Sequence, residues 1–228
     1  MAKTIVIVGF GPGTATAVAE RFGKEGFTAA LIGRDEDRLA AGVSALKAKG
    51  VEAFAFRGDA GDSDSIRGAI RAVRSKLGPS TVLFWNAYGG LEFGDILGAD
   101  PVSVRHLFDA PVFGLLAAVD EALEDLKSSE KGAILVSNGG LGEVSSDADE
   151  GATQYHAMGL ALSSAAKHKL VGLLAARLKN EGVFVGEVMV YGVIKSASSA
   201  QGTIEPATIA EKHWSLYQSR SDVRAGVH

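Results

Sequence analysis

The sequence predicts an α/β fold, a single parallel sheet wound in both directions with helices on its two faces. Three observations carry that prediction. Short apolar runs recur along the chain, and the first, Ile5-Val6-Ile7-Val8, lacks polar alternation, as a parallel strand buried on both faces should. Amphipathic helical stretches separate these runs, so strand alternates with helix and right-handed βαβ units follow. At 228 residues with 46% apolar and 22% charged content, the chain suits one substantial core. We therefore expect one domain over 1–228, with no repeat, low-complexity tract or linker.

The elements follow in order. Lys3 to Gly26 reads as strand, tight turn and helix, with Ala15, Val18, Ala19 and Phe22 at helical spacing. Thr28 to Ile32 is a second strand, and Glu36 to Lys49 a helix with Leu39, Val43 and Leu46 on one face. Val51 to Phe56 is a third strand; Ser63 is expected to cap the next helix, which runs through Ile66, Ile70, Val73 and Leu77. Thr81 to Trp85 is a fourth strand. Pro101 to Leu126 reads as one long helix, apolar over much of its circumference, and so either buried or packed on another subunit. Ala133 to Val136 is a fifth strand. The acidic, Ser-rich segment from Gly142 to Gln154 is expected to be an exposed loop. A helix from near Tyr155 or Met158 to Lys179, a sixth strand from Val183 to Val190, a helix from Pro206 to Tyr217 and a short tail complete the chain.

The first turn holds the first functional signal. In Gly9-Phe10-Gly11-Pro12-Gly13-Thr14-Ala15, glycines let the backbone turn sharply and approach a ligand closely, because no Cβ intervenes. The helix that follows offers free N–H groups to a phosphate. Strand, glycine turn and helix in this order are the requirements of a Rossmann dinucleotide site. An NAD site places a carboxylate about 20 residues further on for the ribose hydroxyls, whereas an NADP site places Arg there for the 2′-phosphate. Arg34 stands at that point, with a planar fork suited to phosphate; the alternative is a solvated Arg in the charged run Arg34 to Arg38, and Asp35 is its neighbour.

Composition narrows the partners. With no cysteine, neither a disulfide framework nor a thiolate metal site is available, which suits a reducing cytoplasm. Five scattered His offer no metal set. A net charge of −4 and a pI near 5.8 leave no basic footprint for nucleic acid. No uninterrupted apolar segment approaches the roughly 18 residues of a membrane-spanning helix, so no membrane partner is expected.

With these landmarks placed, the chain resembles the short-chain dehydrogenase/reductase family over nearly its whole length. Gly9 to Ala15 resembles that family's cofactor loop, with Gly9, Gly11, Pro12, Gly13 and Thr14 as cofactor contacts and Ala15 in place of the last glycine. Asp59, followed by Ala60, sits where the family has an aspartate near the adenine. Asn86-Ala87-Tyr88 resembles the Asn-Ala-Gly turn after the fourth strand, with Tyr for Gly. Tyr191-Gly192-Val193-Ile194-Lys195-Ser196 resembles the Pro-Gly-x-x-x-Thr segment that lines the nicotinamide, with Ile194 as a contact. The resemblance implies an NADP(H)-dependent oxidoreductase acting on a small carbonyl or alcohol, and a homodimer or homotetramer. The apolar helices around Val112 to Leu123 and Leu160 to Leu178 point to an oligomer as well.

The catalytic set departs from the family pattern. Ser163-Ser164-Ala165-Ala166-Lys167 resembles the Tyr-x-x-x-Lys helix with Ser163 in the tyrosine position; Gly139 takes the place of the catalytic Ser, and Pro111 that of the supporting Asn. Only Lys167 is retained; by the resemblance it serves both ribose binding and charge stabilisation. Ser163 is a poor acid beside a phenol of pKa about 10. Tyr155 is the other candidate donor: its fourth neighbour is Gly159 rather than Lys, but a loop could carry it back over the pocket. Two further readings stay open: an NADP(H)-binding sensor or scaffold without turnover, and a flavin- or nucleotide-sugar-binding protein. The later landmarks disfavour the last.

Overall fold

The computed structural model describes residues 3–90, 93–196 and 199–228. Seven parallel strands, β1 (Lys3–Val8), β2 (Phe27–Gly33), β3 (Ala53–Arg57), β4 (Val82–Trp85), β5 (Ala133–Gly139), β6 (Phe184–Val190) and β7 (Arg224–Val227), form one sheet. Their order is β3-β2-β1-β4-β5-β6-β7, so the chain reverses direction between β1 and β4. The all-apolar runs lie at the centre: Ile5 to Val8, Val82 to Trp85 and Ala133 to Val136 have no exposed surface. At the edge, β3 alternates buried Ala53 and Phe56 with exposed Ala55 and Arg57.

Helices α1 (Thr14–Gly23), α2 (Glu36–Ala48) and α8 (Pro206–Ser219) cover one face, where Ile5, Ile7, Phe84 and Leu135 meet Phe22, Leu39 and Tyr217. Phe22, Phe27, Trp214 and Tyr217 lock α1 to α8 through ring contacts at centroid distances from 5.1 Å to 6.4 Å. On the other face, Val6, Val8, Leu83, Trp85 and Val136 pack against α3 (Ser63–Leu77), α5 (Leu115–Ser128) and α7 (Met158–Leu178).

Four expectations need correction. The N-cap of α3 is Asp62, whose carboxylate accepts the N–H groups of Asp64 and Ser65, and Ser63 is the first helical residue. The predicted single helix from Pro101 is divided into α4 (Pro101–Arg105), a 3-10 turn (His106–Phe108), a π turn (Asp109–Gly114) and α5. Pro111 has no N–H for the helical ladder, so the turn widens there. Gly114 then lets the chain settle against β3's loop, where a Cβ would overlap the Ala60 carbonyl. The expected loop from Gly142 to Gln154 contains α6 (Ser146–Gln154), N-capped by the Ser145 hydroxyl. The short tail supplies β7, in parallel register with β6 from Glu187 opposite Arg224 to Val190 opposite Val227.

The stretch Pro101–Ser128, of 28 residues, is by length and composition apolar enough to cross a membrane, although Arg105, Asp109 and Asp120 interrupt its apolar run. In this fold Leu115, Ala118, Ala122 and Leu126 are fully buried in the core. Its charged residues Asp120, Glu121 and Asp125 pair with Arg67, Arg71 and Arg74 of α3.

Candidate functional site

A cleft of about 830 Å³ opens at the C-terminal ends of β1 to β4, where the sheet order reverses. Ligands of open α/β sheets bind at such a switch point. Gly9 forms its floor with φ +78°, its N–H bonded to the Ile32 carbonyl at 3.1 Å. A Cβ here would come within 2.7 Å of the Ala87 nitrogen, so glycine is required both for conformation and for space. Asn86 Nδ2 donates to the Gly9 carbonyl at 3.3 Å and ties the two loops together. Gly13, with φ +98°, precedes α1, and neither a capping side chain nor an acidic residue occupies the helix's first turn. Its N–H groups are therefore available to an anion.

At the far end of the cleft, Arg34 and Arg38 flank Asp35. The Asp35 carboxylate caps α2: Oδ1 accepts the Arg38 N–H at 2.9 Å, and Oδ2 lies 3.6 Å from Arg38 Nη2. Asp35 is thus engaged in holding the helix, while the exposed Arg34 guanidinium is 4.0 Å from Asp59 Oδ2. Asp59 Oδ1 accepts the Gly61 N–H at 2.9 Å, shaping the loop after β3.

Lys167 projects from α7 beneath the opposite end of the cleft, only 3% exposed, and its ammonium is 3.4 Å from the Ala87 carbonyl. Burial lowers its pKa to about 8, against a raising influence from Glu187. Ser163, 1% exposed, donates its hydroxyl to the Leu160 carbonyl at 3.1 Å, as helical serines commonly do. On the other side of β5, His213 meets the Ser137 hydroxyl at 3.0 Å, and burial lowers its pKa to about 3.

Of the residues expected at a cofactor site, Gly9, Gly11, Pro12, Arg34, Asp59, Ala60, Asn86, Ala87 and Tyr88 line the cleft. Gly13 and the buried Thr14 stand behind it at the start of α1, and Lys167 reaches it only through the Ala87 carbonyl. Ile194 lies apart, in a bridge to Ile204. Tyr155 is 71% exposed at the C-terminus of α6 and does not line the cleft; the structure does not fold it back over the pocket. Sequence reasoning missed Arg38, His106 and Asp109, which also line the cleft. Arg38 was accessible through the N-cap pattern, since capping by Asp35 orients the turn that carries it. His106 and Asp109, bonded at 2.8 Å, were hidden inside a helix predicted to be continuous.

The sequence profile of the short chain dehydrogenase family matches residues 3–203. The chain belongs to that family. A peroxisomal 2,4-dienoyl-CoA reductase of Arabidopsis thaliana is 29% identical over 138 residues, or 60% of this chain and 46% of that protein. A 3-oxoacyl-(acyl-carrier-protein) reductase FabG of Staphylococcus aureus (strain N315) is 26% identical over 168 residues, covering 72% of this chain and 68% of the relative. The match thus spans about half the length of the plant reductase. Among solved structures, an NADPH-bound short-chain oxidoreductase from Pseudomonas aeruginosa PAO1, described as containing an atypical catalytic center, has a TM-score of 0.87 at 20% identity. It covers 99% of this chain and 95% of the other. L-sorbose reductase from Gluconobacter frateurii, complexed with NADPH and L-sorbose, has the same TM-score at 19% identity and the same coverage. These structural likenesses establish the short-chain dehydrogenase fold.

Proposed function

We propose that this short-chain dehydrogenase binds NADP(H) and exchanges hydride with a small carbonyl or alcohol, with Lys167 as the principal catalytic residue. The observation that carries the reading is the pair of guanidiniums at the end of the cleft: Asp35 caps α2 and its Oδ2 lies 3.6 Å from Arg38, and Asp59 lies 4.0 Å from Arg34, exposed contacts weak enough to yield to a phosphate. Arg34 and Arg38 then take the 2′-phosphate. The Gly9 to Gly13 turn and the N-terminus of α1, beginning at Thr14, take the pyrophosphate. Asp59 and Ala60 border the adenine; Asn86, Ala87 and Tyr88 border the second ribose, with Ile194 beyond. When bound, the cofactor supplies the hydride. The Lys167 ammonium stabilises negative charge on the substrate oxygen and polarises a water that provides the proton. Ser163 contributes little, because its hydroxyl is spent on the Leu160 carbonyl. Tyr155 is kept as the alternative donor if α6, at whose C-terminus it stands, moves on binding.

The proposal includes a homodimer or homotetramer in the cytoplasm, acting without metal, nucleic acid or membrane. Phe113 and Leu116 of the π turn and α5, with Leu162 and Leu173 of α7, are exposed apolar side chains suited to a subunit contact.

A second reading, cofactor binding without turnover, is favoured by one specific observation: Gly139 brings no hydroxyl and Ser163 is buried. The deciding experiment is a screen of small ketones, aldehydes and alcohols that follows nicotinamide absorbance with NADPH or NADP. Turnover that Lys167→Met removes and Ser163→Ala largely retains supports the reductase. Tight NADPH binding without turnover of any compound supports the second reading, and loss of turnover in Tyr155→Phe would assign the donor to Tyr155.

A further inference from the structure

Glu187 lies in the middle of β6 with no exposed surface, in a strand that is otherwise apolar. A buried carboxylate costs several kcal/mol unless its oxygens are partnered. Here three elements partner it. Asn138 of β5 donates Nδ2 to Glu187 Oε1 at 2.9 Å and to the Ser164 carbonyl at 3.0 Å. His168 Nδ1 is 2.8 Å from Glu187 Oε2, and Arg224 of β7 donates Nε to the same oxygen at 3.3 Å. Arg224 also donates Nη2 to the His168 carbonyl at 3.4 Å. It crosses α7 beside Gly172, where a Cβ would come within 2.9 Å of Nη2.

The residues held in this way are Ser164 and His168, one helical turn apart, and Lys167 lies between them. We propose that Glu187 is a positioning residue: through Asn138 and His168 its two oxygens fix the turn of α7 that carries Lys167, and set a buried carboxylate behind that side chain. The idea deepens the role given to Lys167 above and rests on that reading for its catalytic consequence. The clamp joins residues from β5, β6, β7 and α7, so the chain's last strand is coupled to its one retained catalytic group.

The charges around Lys167 give the proposal its sign. Burial favours the neutral amine, and Glu187 opposes it. On α7 itself the neighbouring titratable groups are His168, which carries charge only when protonated, and the exposed Lys169; on β7 it is Arg224, which offsets part of the Glu187 charge. The end of β4 presents the neutral Ala87 carbonyl and β5 the neutral Asn138 amide. His106 and Asp109, on the 3-10 and π turns that also pack against α7, pair with each other and line the cleft.

Removing Glu187's charge should therefore lower the Lys167 pKa, and removing Arg224's should raise it. A purely structural clamp would move both in the same direction. The measurement is a pH titration by carbon NMR of protein labelled at lysine Cε, with the Lys167 signal assigned by its loss in Lys167→Met. It needs no substrate or cofactor, so it is independent of turnover. In Glu187→Gln the midpoint should fall by about one unit. In Arg224→Met, whose side chain is partly exposed and better screened, it should rise by less. An unchanged midpoint in Glu187→Gln, or a fall in both variants, overturns the proposal. If Glu187→Gln does not fold by circular dichroism, Arg224→Met decides alone: a rise supports the proposal, and no shift or a fall overturns it. Turnover unchanged in Glu187→Gln while the NMR midpoints shift as expected would overturn the catalytic consequence only.

Discussion

At the scale of single residues, Asp35 shows why identity alone does not assign a role. A carboxylate beside a nucleotide cleft suggests ribose recognition, but this one accepts the Arg38 N–H and holds the start of α2. In the proposed reading the two arginines around it meet a phosphate in place of their exposed contacts with Asp35 and Asp59. Arg34→Ala and Arg38→Ala should each weaken NADPH binding on the order of tenfold, the scale of a charge-assisted hydrogen bond, and leave NADH binding nearly unchanged; fluorescence titration reads both. Lys167 predicts a pH dependence. With its pKa lowered to about 8 it is an ammonium below that value, so reductive kcat/KM should fall as pH rises through about 8. A flat profile to pH 10 would assign the charge elsewhere. His213 acts on stability with the opposite pH sense. Its folded pKa of about 3 lies below the ordinary 6.5, so the unfolded chain binds the extra proton between these values. Stability should drop as pH falls from about 6.5 toward 3, by up to about 1.4 kcal/mol per pH unit from this group. Urea unfolding of His213→Gln against pH should show a shallower slope.

At the scale of elements, legibility followed local signal. The central strands were readable because continuous apolar runs are what burial on both faces requires, and the places of Gly9 and Arg34 at the cleft were readable because they depend on chain order. Strand β7 was not: Arg224-Ala225-Gly226-Val227 has little strand character, and its pairing is supplied by β6. Helix α6 buries only Ala152, so no amphipathic stripe marks it. Glu187 was hidden for a related reason, since its partners Asn138, His168 and Arg224 come from distant parts of the chain. The π turn shows a single residue reshaping an element, with Pro111 interrupting the ladder and Gly114 allowing close approach to Ala60. Gly114→Ala should destabilise the protein by roughly 1–3 kcal/mol through overpacking, seen as a lower Tm. An unchanged Tm would mean the helix can move off the sheet without cost.

At the scale of the whole molecule, both halves of the sheet serve the cleft: β1 to β3 carry the glycine turn, Arg34 and Asp59, while β4 carries Asn86 to Tyr88 and α7 brings Lys167 up beneath Ala87. Phe113, Leu116, Leu162 and Leu173 are exposed apolar side chains outside the cleft lining, and they predict self-association. Light scattering at micromolar concentration should give a dimer or tetramer, and Phe113→Glu with Leu116→Glu should shift it toward monomer. A monomeric parent chain would leave those exposed side chains unexplained. The central claim, an NADP(H) site built from a glycine turn and two arginines, is tested most directly by calorimetric titration of the intact protein with NADPH and, separately, NADH. The account predicts that NADPH binds at least about tenfold more tightly; equal affinities, or tighter binding of NADH, would contradict it.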